Sequence, residues 1–430
     1  MNKIVLFLFF TLAINAQNIK SSIDHIVVVY LENRSFDSMF RGFEGADTSD
    51  KPLKSYLPQV DNNSTVYKMI PLTSEAVAAK LPKEITNSPF SLDGYISKSD
   101  TMPDLIHRFY QSQSQINGGL NNRFAVISDQ GGLVMGYHDS SNSAIWRYAK
   151  EYTLCDNFFS AAYGGSFLNH QWLIAARTPY AGMDSNLSKY VLDKNGDTIK
   201  DGVLTPDGYV VNTVQPYFPP FEDGKKKLKP LEYPTIGDRL SQKGVSWGWY
   251  SGDYDAVMKG EGQKVNYQYH HNPFVYFKNY APNTKGRKHI KDEKEFFSEL
   301  KDQNLQSVVF FKPSAIDNQH PGYSNIDAAD KKVEQIIESI KKEPKIWQKT
   351  IIIVTYDENG GLWDHVAPPK ADRWGPGTRV PAVVISPLVK KHFVDHTIYD
   401  TTSILRFIEW KHGLKRLWKK KSNNMLNILK

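Results

Sequence analysis

The chain has 430 residues, 40% hydrophobic and 23% charged, with a formal net charge of +7. This globular composition excludes a disordered chain, and the single cysteine, Cys155, excludes a disulfide-stapled scaffold. The basicity is diffuse: no basic stripe interleaves with stacking aromatics, so no nucleic-acid-binding module is expected, and the charge suits anionic surfaces or substrates instead.

Residues 1–16 read as a signal peptide. Lys3 gives the positive end, residues 4–12 form an apolar run too short to span a bilayer, and small or polar residues follow up to Ala16. Cleavage there removes one lysine and no acid, so the charge falls from +7 to +6 and secretion or export to the periplasm is expected. No later apolar run is long enough to cross a membrane. Residues 17–430 are expected to form one domain.

Residues 23–31 (IDHIVVVYL) carry the pattern of a buried strand, and Glu32 and Asn33 follow it directly. Two oxygen donors at a strand end suit a hard or borderline divalent cation; the plainer alternative is a capping turn. Residues 44–104 and 177–234 are rich in Pro, Gly, Asp, Asn and Lys without period, and read as long loop insertions. Between them, residues 163–173 (YGGSFLNHQWL) place paired glycines before Ser166 and a helix-like run after it. A serine at a helix N-terminus gains from free N–H groups and the positive end of the dipole, which also favour an incoming phosphate; equally, serine is a favoured N-cap. It is not a G-x-S-x-G elbow, because Leu168 stands where the last glycine belongs. His107, the pair His270–His271 in YHHNPF, and His320 are histidines able to bind phosphate oxygens or protonate a leaving alkoxide, although a lone histidine is more often structural.

Further on, helical periodicity at 289–303 and 327–343 alternates with strand patterns at 307–312 (SVVFFK) and 350–356 (TIIIVTY). Asp357 and Glu358 follow the latter, before Gly360 and Gly361. Adjacent carboxylates repel unless a positive group lies beside them, and Asp364 and His365 nearby strengthen the case for a site over an exposed acidic turn. A strand pattern at 380–386, a helix at 401–412 and a basic, partly amphipathic tail at 410–430 complete the chain. The tail reads as a solvated last helix, or alternatively as a helix on an anionic membrane surface. Alternating strands and helices predict a mainly parallel sheet covered on both faces, with its chemistry beyond the C-terminal strand ends.

Six stretches in order resemble one family: IDHIVVVYLENRSFD, DLIHRFYQSQSQINGG, GGSFLNHQWLIAA, HHNPFVYF, YDENGGLWDHVAPP, and RVPAVVISPLV through YDTTSILRFIEWKHG. They are similar to the phosphoesterase family of the alkaline-phosphatase-like superfamily, which contains secreted bacterial acid phosphatases and phospholipases C. The resemblance implies a three-layer α/β/α sandwich and one divalent metal ion (calcium, magnesium, manganese or zinc) held by Glu32, Asn33, Asp357 and Glu358. It implies Ser166 as nucleophile in contact with that metal, and His107, His270, His271 and His320 as phosphate contacts. LENRSFD and the GGS setting look more like acid phosphatases than phospholipases C, which more often read QENRSFD with a threonine in G-P-T. A broad-specificity phosphomonoesterase is therefore expected, with phospholipase C as the alternative. Sulfatases of the superfamily need a C/S-x-P-x-R context that Ser166 lacks. A non-catalytic surface-binding protein would be supported by the basic tail alone.

Overall fold

The computed structural model describes residues 19–50, 56–73, 80–261, 266–417 and 423–430; the signal-peptide reading of residues 1–16 lies outside them. Its centre is an eight-stranded sheet. In chain order the strands are β1 (His25–Leu31), β2 (Thr153–Cys155), β3 (Trp247–Ser251), β4 (Ile290–Asp292), β5 (Val308–Lys312), β6 (Thr350–Tyr356), β7 (Ala382–Ile385) and β8 (Phe393–Asp395). Across the sheet the order is β4-β3-β5-β1-β6-β7-β2-β8. Every pairing is parallel except the two made by β7, so β7 alone runs against the rest. The mainly parallel sheet is as expected.

Seven described helices have seven or more residues: α1 (Phe109–Ile116), α2 (Ala144–Glu151), α3 (Ser166–Ala175), α4 (Ile236–Gln242), α5 (Glu293–Lys301), α6 (Ile326–Lys341) and α7 (Thr401–His412). They cover both faces. Phe310 and Phe311 are neighbours on β5, and strand geometry sends them to opposite sides. Phe310 stacks on Trp249, which meets His170 of α3, whereas Phe311 meets Phe296 and Phe297 of α5. Helices α3, α4 and α7 pack together on the first side; α2, α5 and α6 pack together on the second. The central strands are buried on both faces, which is why Ile26 to Leu31 show no polar alternation. The result is the α/β/α sandwich that the resemblance implies.

The helices form where their sequences direct. Asn325 caps α6 by accepting from Ala328 N at 2.9 Å, and Val333, Ile336, Ile337 and Ile340 fall on one buried stripe. Each such side chain stabilises the fold by about 2 kcal/mol; an aspartate at Ile336 would break this face. Residues 44–104 and 177–234 contribute only short two-stranded pieces among their described residues, such as Met69–Pro71 with Glu84–Thr86, and none joins the central sheet.

The tail differs from expectation. Helix α7 stops at His412 because Gly413 takes a left-handed conformation (φ 61°) that caps it. Near the end, Met425 and Ile428 are fully buried and Val389 bridges to Leu429. In its described residues the tail is therefore no continuous solvated or membrane-surface helix: the apolar residues that suggested amphipathicity anchor it to the core.

Candidate active site

Three adjacent parallel strands, β5, β1 and β6, end side by side. They deliver Lys312, then Glu32 and Asn33, then Asp357 and Glu358 to one place, as chemistry at parallel-strand ends requires. The two acidic loops are tied together by hydrogen bonds from the backbone of one to the backbone and a side chain of the other. Asn33 N donates to Asp357 Oδ1 at 3.3 Å and Arg34 N donates to the Glu358 carbonyl at 3.1 Å. The tight turn needs Gly360 (φ 59°): a Cβ there would lie 2.7 Å from that of Asn33.

The plainer readings of these motifs fall on other residues. The cap of the short helix Phe36–Phe40 is Ser35, which leaves Glu32 and Asn33 free. Asp357 and Glu358 are completely buried, not an exposed turn. Helix α3 is capped by Gly165, with Ser166 as its first residue, so the Ser166 hydroxyl is not used in capping. It donates instead to Glu32 Oε2 at 2.8 Å and lies 3.5 Å from Asn33 Oδ1. Gly164 (φ 81°) makes this approach possible, because a Cβ there would lie 2.6 Å from the Phe109 backbone.

All four predicted histidines join the cluster. His271 Nε2 is 3.5 Å from Glu32 Oε1, and the His270 ring lies 4.3 Å from that of His271. His107 Nε2 is 3.7 Å from Glu358 Oε1, with the His320 ring 5.7 Å away. Two further residues escaped the sequence reading. His170, one helical turn after Ser166, donates from Nδ1 to the Ser166 carbonyl at 2.7 Å, and its Nε2 is 3.7 Å from Glu32 Oε1. The i, i+4 spacing on one helix face was a signal that could have found it. Lys312 pairs with Glu32 Oε1 and is almost completely buried; a lysine closing a hydrophobic strand pattern was the signal there.

Electrostatics follow from burial. Glu32 and Glu358 are pushed well above the usual carboxylate range by burial and then by the Asp357 charge, with Lys312 opposing. Burial and Lys312 push His170 well below its ordinary value and His270 down to about 3. Burial likewise lowers His271, helped by His270, and His320, helped by His107. These four are therefore neutral imidazoles that can offer N–H groups or lone pairs.

Several buried polar atoms here have no hydrogen-bond partner among the described residues: Asp357 Oδ2, Glu358 Oε1, Asn33 Nδ2, and Nε2 of both His170 and His271. Unpaired buried carboxylate oxygens are costly. Glu32, His170 and Asp357 offer ligand atoms within 4.8 Å of one another. Three carboxylates converging on so little compensating charge fit a divalent cation, and the oxygen-rich set with one available imidazole suits several of them.

A second acidic group lies behind the loops. Asp37, Asp364 and His365 also converge, but Arg379 sits among them. It donates to Asp364 Oδ1 at 3.0 Å and to Asp37 Oδ1 at 3.2 Å, and His365 N donates to Asp37 Oδ2 at 2.8 Å. The guanidinium supplies the charge a metal would, so this is an ion-pair network bracing the two loops.

Comparison with known proteins identifies the family. The Phosphoesterase family model matches residues 23–415. Phospholipase C A of Mycobacterium tuberculosis is 25% identical, the match covering 92% of this chain and 74% of that protein. A non-hemolytic phospholipase C of Burkholderia pseudomallei is also 25% identical over 90% of this chain, which spans 55% of its length. A phosphate-repressible acid phosphatase of Penicillium chrysogenum is 23% identical over 57% of this chain and 58% of its own. Among solved structures, an alkaline phosphatase superfamily protein from Vibrio parahaemolyticus aligns at 10% identity and a TM-score of 0.35, covering 74% of this chain and 69% of that one; a likeness that weak adds nothing to what the sheet shows. No described helix is long and apolar enough to cross a membrane. With its family model matched across nearly the whole described sequence, the chain belongs to the Phosphoesterase family.

Proposed function

We propose that the chain is an exported, metal-dependent phosphoric ester hydrolase working through a phosphoserine at Ser166, with phosphomonoesters as preferred substrates. One observation carries the reading: a serine hydroxyl at a helix N-terminus, uninvolved in capping, is held 2.8 Å from a buried carboxylate amid unpaired metal-type ligand atoms. Glu32, Asn33, Asp357 and Glu358 would hold a divalent cation beside Ser166, with His170 as an available nitrogen donor. Such an ion supplies Lewis acidity and lowers the pKa of a bound hydroxyl.

The residues do the rest. Ser166 attacks phosphorus, its proton leaving toward Glu32, and the Oγ–P bond forms as the ester O–P bond breaks. The positive end of α3 and the neutral imidazoles of His270, His271 and His320 hold the phosphoryl oxygens. His107, whose side chain keeps 18% exposure, is the histidine placed to protonate the departing alkoxide. Water then cleaves the Oγ–P bond and returns the serine.

A phospholipase C activity is the second reading, favoured by the phospholipases C matched over 90–92% of this chain. Comparing kcat/KM on p-nitrophenyl phosphate and p-nitrophenyl phosphorylcholine across pH tests it, together with acid-quench capture of phosphate on the Ser166 peptide. A clear preference for the diester installs the second reading; absence of a phosphopeptide removes the mechanism.

A further inference from the structure

Resting on the proposed hydrolase reading, the geometry points to Lys312 as the specificity residue that answers the second negative charge of a phosphomonoester. Its side chain is 1% exposed, at the end of β5 beside β1. Burying an ammonium group is expensive, and an apolar residue would satisfy a strand end in the core more simply. The charge is placed where it meets the reacting centre: one oxygen of Glu32 takes Lys312 and the other takes the Ser166 hydroxyl. The same Glu32 Oε1 is 3.5 Å from His271 Nε2 and 3.7 Å from His170 Nε2, so Lys312 sits among the histidines.

Charge counting decides what it does. Glu32, Asp357 and Glu358 carry three negative charges when ionised, and a divalent cation offsets two. The ring nitrogens of the buried histidines serve as hydrogen-bonding groups. Lys312 brings the loaded site to zero; without it the site keeps one negative charge and opposes any phosphate. A diester brings one negative charge, whereas a monoester above its second pKa of about 6 brings two. In a buried site each charge is weakly screened, so the loss of Lys312 penalises the dianion more than the monoanion.

The test uses the metal-saturated full chain at neutral pH. For Lys312→Met, kcat/KM on p-nitrophenyl phosphate is expected to fall about 100-fold, and on bis(p-nitrophenyl) phosphate no more than about 10-fold. Lys312→Arg should restore most of the ratio, and inorganic phosphate should bind the Lys312→Met, Ser166→Ala double variant more weakly than Ser166→Ala alone. Metal content, by elemental analysis, should match wild type. Equal losses on both esters, or phosphate binding unchanged, would show that Lys312 serves only to neutralise Glu32 and would overturn the inference. Wild-type protein that hydrolyses neither ester would instead bring down the hydrolase reading on which it stands. If Lys312→Met does not fold, Lys312→Gln carries the same comparison.

Discussion

Replacing Ser166 by alanine separates chemistry from folding. The change deletes one hydroxyl whose partners are Glu32 Oε2 at 2.8 Å and Asn33 Oδ1 at 3.5 Å. Alanine is a good first residue for α3, and the cap at Gly165 is untouched. The stability cost is therefore that of one hydrogen bond, about 1 kcal/mol, or a Tm shift of about 1 °C for a chain of this size. The chemical cost is the attacking atom itself. A fall in kcat of at least about 1,000-fold is expected, equivalent to about 4 kcal/mol in the barrier. The assay is p-nitrophenyl phosphate hydrolysis at saturating metal, with scanning calorimetry on the same samples. A variant with unchanged Tm that keeps more than about a tenth of wild-type kcat would remove Ser166 from the reaction. A Tm loss of tens of degrees would assign the hydroxyl to folding instead.

Gly164→Ala should destabilise by about 2 kcal/mol or more, because a side chain at φ 81° is strained and its Cβ meets Phe109 backbone at 2.6 Å; a urea titration showing wild-type stability would contradict this close approach. Chelation should abolish activity and lower Tm together, since three buried carboxylates lose their counter-charge, and both should return with one divalent ion; full activity in protein shown to be metal-free would refute the cation. Metal affinity should weaken as pH falls, because Glu32 and Glu358 hold protons above the usual range and must release them to bind, which calorimetric titration at several pH values can read. For His365, burial lowers the pKa but the Asp37 hydrogen bond and charge raise it further, so the net value is raised. Its contribution is thus complete below pH 6.5 and lost as pH rises through the folded value; the Tm gap to His365→Gln should be widest near pH 6 and close toward pH 9.

Much of this was legible because buried parallel strands announce themselves. TIIIVTY and TTSILRFIEWKH became a strand and a helix with unchanged ends, and IDHIVVVYL, SVVFFK and the helix at 327–343 shifted only at their termini, whereas the helix expected over 289–303 begins at Glu293 and the residues Ile290–Asp292 form strand β4 instead. Glu32, Asn33, Asp357 and Glu358 were visible as polar residues closing apolar runs. Lys312 was not recognised, although it obeys the same rule, because a lysine after Phe310 and Phe311 reads as a solvated strand end. His170 was hidden inside a helix whose every residue is buried, so no amphipathic face singled it out. The tail misled for a different reason. A basic amphipathic stretch does not reveal that Gly413 breaks it or that Met425 and Ile428 have a place in the core.

The Asp37–Asp364–His365–Arg379 network gives the two acidic loops a common fate. Asp364 Oδ2 accepts from Asp37 N at 3.0 Å, and Arg379 also donates to the Asp47 and Asp156 carbonyls, both at 2.9 Å, drawing β7, the loop after β1 and the loop after β6 onto one guanidinium. Neither loop can open alone without stranding a buried charge, which costs several kcal/mol. In hydrogen exchange the amides of Arg34 and Glu358 would therefore behave as a single cooperative opening unit, with protection approaching that of the central strands. A lineage diversifying this scaffold could not retune one ligand loop while leaving the other in place; new specificity would have to arise in the peripheral insertions, whose described residues make no strand of the central sheet.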